Sequence, residues 1–306
     1  MFMIATAKRA ITLLLLAFFL ALPLGAEENG DNDKDLGDKA PSFWKVEGEK
    51  NTVWLFGTVH VLTEDHYPLA DEVEKAFEES AYLVVEVDTV NVDPQVQQQL
   101  MVNAGMLPDG VSLEDVLGEE KYARASELAS ANGYDLNQMA MLRPWLIALA
   151  LTVEEFSRMG YTAEHGVETY FLNRAEDEHK SIVELESLQF QIGLFDELEE
   201  SIQVDFLMQT LEEIDTMEAQ IEALISAWES GSLDDLEAAL MEDFDEYPEL
   251  YKRIVTDRNH DWIDDLRDML DNKEKDYFVA VGALHMVGEE GVVELLREKG
   301  YTVTKQ

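Results

Sequence analysis

The sequence predicts an α/β fold: a mixed, largely parallel sheet built from the N- and C-terminal segments, with a large helical insertion between them. Three observations lead to this. Residues 53–56 and 277–281 are unbroken apolar runs rich in β-branched and aromatic side chains, the pattern of strands buried on both faces. Residues 82–88 form a third run, and a helical pattern over 69–79 separates it from the first, so strand, helix and strand imply a parallel pair. From Asp93 to about residue 275 helical periodicity dominates, interrupted near 180–186 by a strand of alternating character.

The ends of the first and last runs are alike. One continues into Gly57-Thr58-Val59-His60 and the other into Gly282-Ala283-Leu284-His285, in a chain with six histidines. Side chains just past the carboxyl ends of parallel strands line the ligand crevice of such folds. If the two strands are neighbours, His60 and His285 converge there and form a candidate metal site. Taken singly, either histidine reads as a structural, hydrogen-bonded residue. Their repetition after two apolar strands favours a functional pair. Glu86 interrupts the third apolar run, and a carboxylate buried there must be paired, metal-bound or protonated.

In chain order, residues 1–26 read as a secretory signal. Lys8 and Arg9 precede an apolar stretch over 10–22, and Pro23-Leu24-Gly25-Ala26 ends in small residues suited to cleavage. The apolar stretch is shorter than the ~20 residues that span a bilayer, and no transmembrane segment is expected in the mature chain. Export across the inner membrane to the periplasm is expected from the signal, which is followed by a polar, acidic linker over 27–40. Residues 41–306 are expected to form one domain carrying the insertion at about 93–275. Residues 43–47 and the second strand read as the two arms of a hairpin joined by Gly48-Glu49-Lys50-Asn51.

Composition excludes several classes. The formal net charge of −43 argues against nucleic acid as a partner, because phosphate binding needs clustered Lys and Arg. The absence of cysteine excludes disulfides, lipidation of an N-terminal Cys, thiolate zinc sites and Cys nucleophiles. With 46% hydrophobic residues in periodic segments, the chain is globular. No phosphate-binding loop, Gly-x-Ser-x-Gly elbow or His-Glu-x-x-His helix occurs. The Met-rich segment 136–159, with Met139, Met141, Leu142 and Leu146, reads as core. Arg143 before Pro144 reads as a pocket cation or, more simply, a helix-end ion pair. His165 and His179 read as exposed.

The paired Gly-x-x-His motifs, with Gly282-Ala283-Leu284-His285-Met286-Val287-Gly288 leading into Gly291-Val292-Val293-Glu294-Leu295-Leu296 and Gly300-Tyr301-Thr302-Val303, resemble the TraB/PrgY/GumN family. That family is related to the TIKI metalloproteases and, more distantly, to erythromycin-esterase and ChaN-like folds. The resemblance runs from about Phe43 to Val303. It implies a metal-dependent hydrolase, most simply a peptidase acting on a peptide or protein substrate. His60, His285 and Glu86 would then be metal ligands and catalytic groups, and the divalent ion manganese or cobalt, with zinc a further option. It also marks Arg258-Asn259 before an amphipathic run, Glu186 before a helix, and Glu168, where the family usually has Asp. Arg258 could hold a site carboxylate, hold a substrate oxyanion or make a buried structural salt bridge. The rival reading is a non-catalytic protein that sequesters a peptide, haem or metal in the same cleft. The oligomeric state is not legible in the sequence.

Overall fold

Residues 42–241 and 247–306 are described in a computed structural model of the chain. The expected signal and linker, residues 1–40, lie outside the described residues, as do residues 242–246. The chain divides into two compact units. One comprises 92–159 and 188–221, and the other 42–91, 160–187 and 222–306. The helical segment expected over 93–275 is therefore shared between them.

The second unit holds a six-stranded mixed sheet. Its strands are β1 Phe43–Glu47, β2 Thr52–Thr58, β3 Tyr82–Val85, β4 Ser181–Glu184, β5 Tyr277–Gly282 and β6 Val303–Lys305, in the spatial order β4-β3-β5-β2-β1-β6. The pairs β4–β3, β3–β5 and β5–β2 are parallel, while β1 runs antiparallel to β2 and to β6. The chain's two ends thus pair at the centre of the sheet, as the apolar runs predict. Successive side chains point to opposite faces. Trp44, Val53, Leu55, Val84 and Val279 meet Leu266, Leu270 and Leu296 in one core. On alternate positions Phe43, Phe56 and Phe278 join Phe77 and Phe171 in a second, aromatic core. Both faces are covered, which is why these strands lack polar alternation.

Two strands are shorter than the sequence predicts. The run over 82–88 is strand only through Val85, although Glu86 O still accepts from Glu186 N at 2.9 Å, and the Glu86 carboxylate accepts from the backbone N–H of Gly282. The strand near 180–186 covers only Ser181–Glu184, so Glu186 also falls beyond a strand end.

In the helical unit, Pro144 opens the helix Pro144–Arg158, so the segment expected over 136–159 is broken. Ser112 caps Leu113–Ala131 through a reciprocal bond with Asp115, and Gly118 kinks that helix at φ 75°. Met141, expected in the core, is exposed, as are Val96, Val102 and Phe190. His165 is half-buried where the sequence predicts exposure; His179 is exposed. Among the described residues no helix is long and apolar enough to cross a membrane.

Candidate functional site

Four neighbouring parallel strands end on the same side of the sheet, and each delivers a candidate residue just past its last ladder position. Glu186 follows β4, Glu86 follows β3, His285 follows β5 and His60 follows β2. The register places Thr58 opposite Gly282 and Gly57 opposite Val281. The two Gly-x-x-His motifs are therefore offset by one residue. Past the ladder the chain paths also differ, with His285 in the 3-10 turn Ala283–Met286, so the two histidines are not equivalent.

Their convergence is measured at Gly282. A Cβ there would lie 3.3 Å from both Glu86 Oε1 and His60 Nε2, and 3.7 Å from His285 Cδ2. A methyl group there would crowd Glu86 and His60, whose side chains would have to shift by a few tenths of an ångström.

The helix Asp257–Asn272 supplies the rest of the centre. Its residues Arg258, Asn259 and Trp262 are buried, and Arg258 and Trp262 sit one turn apart on a single face. A wide π turn over Lys252–Thr256 precedes it. All five N–H groups of the Arg258 guanidinium find acceptors. Nε and Nη2 form a bidentate pair with Glu186 at 2.7 and 2.9 Å. The other Nη2 hydrogen goes to Glu86 Oε2. Nη1 donates to Ile254 O and to His285 Nε2, each at 2.9 Å. Trp262 lies 4.9 Å under the guanidinium and donates its indole N–H to Glu186 at 3.0 Å. Burial opposes the charge on Arg258, but the two carboxylates outweigh it and raise its pKa further.

These bonds fix the state of His285. Asn259 Oδ1 is only an acceptor, so at 2.6 Å it takes a proton from Nδ1, leaving Nε2 to accept from Arg258. Asn259 is held in turn by donating to Glu290 O at 2.8 Å. Burial first, then the charges of Arg258 and His60, hold the pKa of His285 well below its ordinary 6.5. The folded protein therefore resists a proton that the unfolded chain accepts below about pH 6.5. Stability is present in full above that pH and falls as pH drops below it, by up to ~1.4 kcal/mol per unit from this residue. We expect urea unfolding between about pH 7.5 and 5.5 to show this slope and His285→Gln to flatten it. An unchanged slope in the variant would contradict the neutral assignment.

His60 is built differently. Its Nδ1 lies 2.9 Å from Glu168 Oε1, and both side chains keep 12% exposure, whereas His285 and Arg258 have at most 1%. Thr58, between Gly57 and His60, donates its hydroxyl to the same Glu168 oxygen. Burial pushes the Glu168 carboxyl up. The charge of His60 and hydrogen bonds from His60 and Thr58 outweigh burial and hold it below its ordinary value. The longer Glu side chain in place of the family's Asp thus reaches a histidine partner. The helix Val167–Asp177 that carries Glu168 docks through Val167 N to Val59 O at 3.0 Å. Gly166 lets it approach: a Cβ there would lie 2.2 Å from His60 O. Backbone cannot yield as a side chain does. We expect Gly166→Ala to cost ~1–3 kcal/mol in urea unfolding and to displace His60 from Glu168. Wild-type stability in that variant would show the approach is looser than drawn.

Seven of the eight residues singled out in the sequence thus meet in one unit. Arg143 is not among them. It belongs to the helical unit, where its Nε lies 3.5 Å from Asp196 Oδ1, the helix-end ion pair. Trp262 and Thr58 are partners that sequence reasoning missed. The position of Trp262, four residues after Arg258, was the available signal.

As arranged, these residues do not fit a divalent ion. His285 Nε2 and Glu86 Oε2 face Arg258, and Glu86 Oε1 accepts from Gly282 N at 2.8 Å. Among the described residues no group of three or more His, Asp and Glu side chains is placed to hold a metal.

Comparison with known proteins agrees with the resemblance in the motifs. A relative from Escherichia coli (strain K12), named only as the uncharacterized protein YbaP, is 27% identical over 79% of this chain and 87% of its own length. An uncharacterized protein from Treponema pallidum (strain Nichols) is 22% identical over 52% of this chain and 47% of its own. No solved structure matches significantly. Residues 42–305 match the TraB/PrgY/gumN family, from the first strand to the last and across every residue of the centre, and the chain belongs to that family.

Proposed function

We propose that the protein is an exported hydrolase, with peptides its substrate class, in which His60 is the water-activating base. The observation that carries this reading is the His60–Glu168 pair, each side chain 12% exposed, beside a fully buried, charged cluster at the carboxyl ends of four parallel strands. With Nδ1–H donated to Glu168, His60 has Nε2 as its basic nitrogen, buried and facing Gly282. A water there would give up its proton to Nε2 as it attacks a carbonyl carbon, Glu168 would stabilise the imidazolium, and the imidazolium would return the proton to the leaving amine as the C–N bond breaks. Arg258, Glu86, Glu186 and His285 do not touch substrate in this reading. They hold β5 and the helix Asp257–Asn272 so that Gly282 and the His60 ring keep their places. No step requires the manganese, cobalt or zinc ion that the family resemblance implies.

The test is turnover of a mixed peptide library by the purified chain, with chelator and then with added manganese or cobalt, against His60→Ala. Cleavage that survives chelation and disappears with His60→Ala is the expected result. Cleavage that depends on added metal would replace this reading with the metal-dependent one. Tight retention of a peptide or haem with no turnover would make the protein a sequestering one.

A further inference from the structure

We propose that Arg258 is the resident cation of this centre, built into the chain at the place where the family resemblance would put a divalent ion. The inference concerns cation occupancy and stands whether or not the hydrolase reading holds. It rests on the direction of the donor atoms. A metal among His60, Glu86 and His285 would need His285 Nε2 and at least one Glu86 oxygen turned toward it. Instead both residues, with Glu186, are turned toward one guanidinium, and its fork matches them: a bidentate carboxylate, a second carboxylate, an imidazole nitrogen and a backbone carbonyl. Trp262 covers the guanidinium plane. Asn259, the next residue, fixes the proton of His285 on Nδ1 so that Nε2 can accept from Arg258. The Arg-Asn pair is therefore one device: the first residue supplies the charge, and the second prepares its imidazole acceptor. A divalent ion placed at these donors would meet a buried positive charge that cannot be deprotonated.

The two Gly-x-x-His motifs then have separate work. His285 is a positioning residue that seats Arg258 and never faces substrate. His60 is the histidine that keeps some exposure, 12% against 0% for His285, and it pairs with Glu168.

The experiment is cobalt titration of the full purified chain, followed by visible absorption and by thermal melting. A four-coordinate cobalt site with imidazole gives a far more intense visible band than octahedral carboxylate binding to the acidic surface, which matters in a chain with 65 Asp and Glu. Wild type and Arg258→Lys are expected to give no histidine-dependent band and no one-to-one rise in melting temperature. Arg258→Ala frees His285, Glu86 and Glu186, and is expected to gain both, with the gain lost again in Arg258→Ala/His285→Ala. A band in the wild type that disappears with His285→Ala would overturn the proposal. So would a folded Arg258→Ala that takes up no cobalt. Should Arg258→Ala not fold, the wild-type and Arg258→Lys titrations decide the question alone. Peptide turnover is not read here, so failure of the proposed function and failure of this inference are separable.

Discussion

Arg258→Ala is expected to lower the unfolding free energy by ~3–5 kcal/mol, among the largest losses any single substitution in this chain should produce. The reason is what remains behind. Arg258 is 1% exposed, and its two carboxylate partners are each 6% exposed at the side chain. Removing the guanidinium leaves two buried carboxylates facing each other's charge, an indole N–H tied to one of them, and His285 Nε2 without its donor. Marginal domains have about 5–15 kcal/mol in total, so such a loss is a large share of it. Arg258→Lys keeps the charge but has three donors in place of a planar fork of five, and should fall between wild type and Ala. Adding Glu186→Gln to Arg258→Ala should recover part of the loss, since one stranded charge disappears. Urea unfolding of the four proteins measures this. A loss under about 1 kcal/mol for Arg258→Ala would mean the cluster is wet and loosely held.

The sequence made the sheet legible because its central strands are buried on both faces. Val53–Phe56 and 277–281 read as buried strands, and the parallel pairing that the sequence offered only as a condition brings both histidines to the carboxyl ends. Glu86 was legible for the opposite reason: a lone carboxylate in an apolar run demands a partner. What the sequence could not supply was the partner's identity. Arg258 lies 172 residues from Glu86, and nothing local to either residue joins them. The same holds for Glu168 and His60. A family-like position suggested Glu168, but whether its longer side chain reached anything depended on the approach allowed by Gly166. The offset of one residue between the two motifs was also hidden. Identical Gly-x-x-His spacing looked like two equal ligands, whereas the structure pairs the 12%-exposed His60 with Glu168 and the fully buried His285 with Arg258 and Asn259.

That separation sets the last expected result. On any peptide the protein cleaves, His60→Ala should lower kcat/KM by about 10²–10⁴-fold, the usual contribution of a positioned acid–base group. Most of the loss should fall in kcat, because the base acts as charge develops and not in ground-state binding. Glu168→Gln keeps the size of the side chain and an oxygen to accept Nδ1–H, but removes the charge that stabilises the imidazolium. Its loss should be smaller than that of His60→Ala. It should also carry a signature that a structural role would not: with the counter-charge gone, the acid limb of the pH–rate profile moves to lower pH. His285→Gln should leave that limb in place, since its imidazole is already neutral and turned to Arg258. Steady-state kinetics across pH on the three variants reads all of this. Should the acid limb follow His285 and ignore Glu168, the assignments of the two histidines would have to be exchanged.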